Sequence, residues 1–196
     1  MRNYRLYWIT VVVFFLIMFI LPVFSFEGYS IIANTTSHLG AQQSPFNVIM
    51  NLGFIALGII TGFYTQLKTK SYPVLTAMLY VFSMSLIGVA IFEHYPLTGE
   101  SGNLTLDAWH SFFATLTGFS FSMVALIAAF VLEQPRDRLM AITLIVIAIV
   151  IPLLMFNFSL YQGLFQRFMF ISAFIWIGLL FSALDKQKTH EANMKG

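Results

Sequence analysis

Cysteine is missing altogether from the 196 residues. Disulfides, thiolate metal sites and cysteine nucleophiles are therefore excluded. Charge is scarce as well: Asp, Glu, Lys and Arg make up only 9% of the chain, where soluble domains carry about 25%. With 59% hydrophobic residues and 22 Phe, the composition describes an integral membrane protein rather than a soluble domain. A net charge of +2, spread over short loops, offers nothing to a nucleic acid, so membrane lipids are the expected partners. Internal repeats and low-complexity segments are absent, and so is the strict alternation over roughly 10-residue segments that a transmembrane β-barrel shows.

What the chain has instead is long apolar runs. A helix needs about 20 apolar residues to cross a hydrocarbon core of about 30 Å, and six runs qualify: 6–26, 46–66, 72–92, 108–132, 139–157 and 164–184. The fold expected is an all-α bundle of six transmembrane helices forming one domain over 1–185, with a short tail at 186–196. The first run follows Arg2 and Arg5 and is longer than the core of a signal peptide, so it reads as a retained first helix. Lys and Arg concentrate in cytoplasmic loops. Arg2, Arg5, Lys68, Lys70, Arg136, Arg138, Lys186, Lys188 and Lys195 all fall on one side of six crossings. Both termini are thus expected in the cytoplasm, with the protein in the plasma membrane (the inner membrane of a bacterium). Only Arg167 falls near the opposite side.

The polar residues on that outer side are the candidates for a site. Between the third and fourth runs lies FEHYPLTGESGNLTLDAWHSF, with Glu93, His94, Glu100, Asp107 and His110 and no basic residue. Residues three apart share a helix face, so Asp107 and His110 can converge, and His94 or Glu93 can meet them across a hairpin. Imidazole beside carboxylate suits either acid–base work or zinc, with His94, His110 and Asp107 as the candidate ligands. The plainer reading is that Asp107 favours a helix N-terminus and the histidines sit in water at the membrane surface. The loop after the first run, EGYSIIANTTSHLGAQQSP, adds Glu27, Ser37 and His38. Adjacent residues point apart and no G-x-S-x-G elbow is present, so Ser37 is more readily a capping residue than a nucleophile. Arg167, with Gln166 beside it, stands about one turn inside the last helix. A charge there either faces the bundle interior or snorkels, and an interior Arg167 is expected to pair with Glu27 or Asp107. Two runs carry small residues at helical spacing, Gly58 and Gly62 in one, Ser111, Thr115, Gly118 and Ser122 in another, as close helix packing requires.

Three stretches carry a family resemblance. Ser37-His38-Leu39-Gly40, followed by Pro45 and Asn47, resembles the Ser-x-Leu-Gly loop after the first helix of the domain of unknown function 998 family, bacterial membrane proteins. Ile91-Phe92 with Pro96 and then His110 is similar to that family's Phe-Pro loop and following His, although Glu93-His94-Tyr95 intrudes here. Gly163-Leu164-Phe165-Gln166-Arg167 with Trp176 resembles its last-helix signature. The resemblance implies six helices with cytoplasmic termini and brings no reaction with it. Two functions are expected on the residues. One is an outward-facing polar pocket for a lipid headgroup or small amphiphile, contacted by Arg167, His110 and the outer acids. The alternative is a metal-dependent or acid–base hydrolase or transferase acting on lipid within the membrane through His94, His110, Asp107 and Glu93. Ion-coupled transport is less favoured, because the helix centres carry no charge.

Overall fold

The computed structural model describes residues 4–99 and 101–195, without the side chains of Glu191 and Lys195. Arg2, Glu100 and the Lys195 side chain lie outside the described residues. Within them the chain is helical and contains no strand, and six helices are long and apolar enough to cross a membrane. In chain order these are α1 (Arg5–Ile20), α3 (Asn47–Lys68), α4 (Pro73–Ile91), α5 (Leu104–Val131), α6 (Pro135–Asn157) and α7 (Gln162–Lys195), with a one-turn helix α2 (Thr36–Leu39) in the long first loop.

Local chemistry sets the ends, and several differ from what the apolar runs suggest. α1 stops at Ile20 and a 3-10 turn, Leu21–Phe24, finishes the crossing. Pro22 lies in that turn, where a residue lacking an N–H and locked in φ ends α-helical bonding. α5 begins at Leu104 rather than 108, because the Asn103 side chain accepts from Thr105 N and Leu106 N and caps the helix four residues early. Pro135 opens α6 at its first turn, where its missing donor leaves no bond unmade. Pro152 stays inside α6. α7 continues to Lys195, well past the end of its apolar run. Its 34 residues make a rod of about 51 Å at 1.5 Å per residue.

Neighbouring helices pack in the sequence α3–α4–α5–α6–α7, and α1 closes the bundle against α3 and α7. The core is aromatic. Phe14 lies 5.2 Å from Phe54 and 5.6 Å from Phe174, ring centre to ring centre, and Phe82 reaches both Phe174 and Phe121 at about 6 Å. Such offset and edge contacts between buried rings stabilise beyond their area alone. In α3, Gly58 does serve packing: a Cβ there would meet Ile87 and the Ser83 carbonyl of α4. The stripe on α5 does not. Ser111, Thr115 and Gly118 are exposed, and the hydroxyls of Thr115 and Ser122 bond back to carbonyls of their own helix.

The two ends of the bundle differ chemically. At the end where α1 begins and α7 finishes, Lys68 is buried with its ammonium 2.8 Å from Asp185 and 4.6 Å from the centre of the Tyr4 ring. Lys188 donates to the Lys68 carbonyl at the end of α3, where the helix dipole favours a cation. These contacts hold the extension of α7 against α3. The opposite end, the histidine end, carries α2 and the loops 25–46, 92–103 and 158–161.

Candidate functional site

Three histidines meet at that end. The ring of His94 lies between His38, 5.2 Å away, and His110, 5.4 Å away, centre to centre, both edge-on. The expected approach of His94 to His110 is present, and His38, which looked like a separate feature of the first loop, completes the row. α2 delivers it. The Nδ1 of His38 accepts from the Thr35 backbone N–H at 3.2 Å and the Asn34 amide at 3.1 Å, as the third residue of a capping box does. Both partners are donors, so the His38 proton sits on Nε2. His94 and His110 have the other tautomer: Nδ1 donates to Tyr95 O in the first, and to Val89 O and Phe92 O in the second. His110 is 4% exposed. Burial, with His94, His110 and Arg167 close by, lowers the His38 pKa from 6.5 to about 4, so its imidazole is neutral in ordinary conditions.

The acids separate. Asp107 Oδ1 stands 3.8 Å from His94 Nδ1 but takes its hydrogen bond from Tyr95 N at 2.8 Å. Glu93 turns away from the histidines toward α3, where Oε1 accepts from Asn47 at 3.0 Å and Asn51 at 3.1 Å. Burial raises its pKa and the Asn51 bond opposes the rise. Glu27 is exposed. Among the described residues no three His, Asp or Glu side chains are placed to hold a metal ion together. Asn47 stood out in the sequence only through the family resemblance and Asn51 not at all, though two amides one turn apart on an otherwise apolar helix are a legible polar face. Gly40 belongs to the same knot: a Cβ on it would overlap the Asn51 amide, which donates to the Gly40 carbonyl.

Arg167 faces the interior as expected, at 1% exposure, but its partner is not an acid. Nη1 donates to the carbonyls of Ile31, Asn34 and Gly163 at 2.8–3.0 Å, Nη2 to the Tyr29 hydroxyl at 2.7 Å, and Nε more loosely to Met18 O. The expected pair with Glu27 or Asp107 is replaced by a cage of carbonyls, one of them in the last turn of α1, where the helix dipole is negative. Gly163 lets the loop close over it, since a Cβ there would strike the Ile31 and Asn34 carbonyls. Burial pushes the Tyr29 phenol up, and Arg167 partly offsets this. An arginine so enclosed is structural in its contacts and presents no free face to a ligand.

Gln166, its neighbour, connects this framework to a cavity. Its Oε1 accepts from both the backbone N–H and the hydroxyl of Thr36, each at 2.7 Å, fixing α2 to α7. Inward from α2 is a cavity of about 100 Å³ walled by Phe54, Phe82, Phe121 and Phe174 from four helices, with Ser37 and Gln166 also on its lining. Thr117 lines it too, but its hydroxyl bonds to Phe113 O. Ala114 and Gly118 of α5 both line the cavity and are exposed on the bundle surface. The cavity therefore reaches the flank of the bundle across the small residues of α5. No imidazole is among its lining residues.

The sequence model of a family described as Protein of unknown function (DUF998) matches residues 9–183. No curated protein and no solved structure matches the chain.

Proposed function

This chain belongs to the DUF998 family, and from that premise we propose that it is a multipass membrane protein that binds an amphiphile drawn sideways from the bilayer. The single observation behind this reading is the cavity: apolar walls on four helices, hydrogen-bonding groups from Ser37 and Gln166, and an edge at Ala114 and Gly118 that lies on the lipid-facing flank. A site of about 100 Å³ holds a few carbons of a chain, being smaller than the 150 Å³ cavity that takes up benzene. The remainder of the chain lies along α5 in the hydrocarbon. Ser37 and Gln166 stand at the level of α2, where a polar head belongs. The contacts first expected from Arg167, Glu93 and Asp107 are not part of this reading, since those groups are occupied elsewhere. We further take the histidine end to face outward, because among the described residues every Lys and Arg except Arg167 is at or near the other end.

One observation favours acid–base catalysis instead: His94, with Nδ1 held by Tyr95 O and 3.8 Å from Asp107 Oδ1, leaves its Nε2 without a hydrogen-bond partner among the described residues. It is the weaker reading because the cavity has no imidazole on its lining.

The test is photolabelling of the purified protein with single-chain lipids carrying a diazirine near the chain end, followed by peptide mapping. Labels are expected on Met169 and Phe170, which line the cavity. Gly118→Trp should cut that labelling at least tenfold while leaving the melting curve in place, because a Cβ at Gly118 meets nothing within 4 Å. Labelling spread evenly over the lipid-facing helices, and unchanged in Gly118→Trp, would refute lateral binding.

A further inference from the structure

We infer that the head recognised in this cavity is uncharged, a hydroxyl- or ester-bearing lipid head such as an acylglycerol's, and not a phosphate or carboxylate. The inference rests on the amphiphile reading above and specifies its ligand.

It starts from the hydrogen-bonding groups left over once the protein's own bonds are made. The Gln166 carbonyl oxygen is taken twice by Thr36, so the amide nitrogen is the end of that side chain left to a ligand, with two N–H donors. Ser37 lines the cavity, and among the described residues its hydroxyl has no partner. A hydroxyl both donates and accepts. Amide donors beside a donor–acceptor hydroxyl match an ester carbonyl next to a free alcohol.

Countercharge is what the cavity does not offer. Arg167 follows Gln166 in sequence, yet every nitrogen of its guanidinium is engaged by carbonyls or by Tyr29. The carbonyl dipoles around it point their negative ends at the charge. His38 follows Ser37, but its Nδ1 is occupied by Thr35 and Asn34, and its pKa of about 4 leaves it neutral. An anion placed here would lose its water without gaining an ion pair, and buried charge is stable only when paired. A neutral head loses far less and regains its hydrogen bonds.

Competition photolabelling separates the possibilities. The probe is a diazirine-bearing monoacylglycerol in detergent micelles, and the competitors are unlabelled monoacylglycerol, lysophosphatidate and fatty acid of equal chain length at pH 7.5. The expected result is that monoacylglycerol competes at least tenfold better than either anion. Ser37→Ala should weaken the monoacylglycerol about tenfold while leaving labelling by a headless alkyl diazirine unchanged. If lysophosphatidate or fatty acid competes equally or better, the neutral-head inference is overturned and the amphiphile reading stands. If no lipid labels the cavity saturably, the amphiphile reading falls and takes this one with it.

Discussion

His38 titrates near 6.5 in an unfolded chain and at about 4 in the fold. Between those values the unfolded chain binds more protons, so stability rises with pH across that window. The contribution of neutral His38 is complete above about pH 6.5 and is lost as pH falls through 4. Glu93 acts in the opposite sense, because its raised pKa favours the fold in acid and loses that contribution as pH rises. The comparison must therefore be with His38→Gln, which keeps an acceptor at the third position of α2 for the Thr35 N–H and removes the titration. We predict that the melting temperature in detergent falls more steeply for the wild type than for His38→Gln between pH 6.5 and 4.5. Parallel curves would show that His38 is not buried beside its neighbours as described. At this scale the sequence could be read only in part. The meeting of His94 with His110 follows from two residues flanking one hairpin. The arrival of His38 depends on the irregular path of residues 27–45, which has no periodicity to read. The carbonyls around Arg167 leave no mark in a sequence at all.

Helix packing was legible where small residues face a neighbour and misleading where they do not. Gly58 and Gly118 look alike in sequence, each an interior glycine in an apolar helix. The fold places Gly58 against the Ser83 carbonyl and Ile87, and leaves Gly118 with open space. Gly58→Ala should therefore destabilise by roughly 1–3 kcal/mol, the usual range for overpacking. Gly118→Ala should be neutral or stabilising by up to about 1 kcal/mol, the helix-propensity difference. Thermal melts of the two variants in one detergent test this, and equal melting temperatures would contradict the α3–α4 contact. The number of helices was legible because each crossing needs a fixed length of apolar chain. Their ends were not, since Asn103 and the salt bridge from Lys68 to Asp185 extend helices beyond where hydropathy stops.

At the scale of the whole molecule, orientation rests on the basic residues. The chain has no cysteine of its own, so single cysteines report without background. Ser101→Cys and Lys186→Cys stand at opposite ends of the bundle, both exposed. An impermeant thiol reagent on intact cells is expected to label the first and spare the second; the reverse pattern would invert the proposed orientation. The cage around Arg167 adds a constraint in time. Three of its carbonyls come from residues 18, 31 and 34, near the start of the chain, and the fourth, Gly163 O, comes with the cation from the final helix. The ribosome makes the first loop long before α7 emerges, and domains otherwise begin to settle from the N-terminus during synthesis. Loop 29–34, and through Gln166 the helix α2 that carries Ser37 and His38, must wait for the last segment to enter the membrane. The histidine end of this protein is thus completed by its final crossing, and a chain arrested before residue 162 would carry every histidine of the row without the support that sets it.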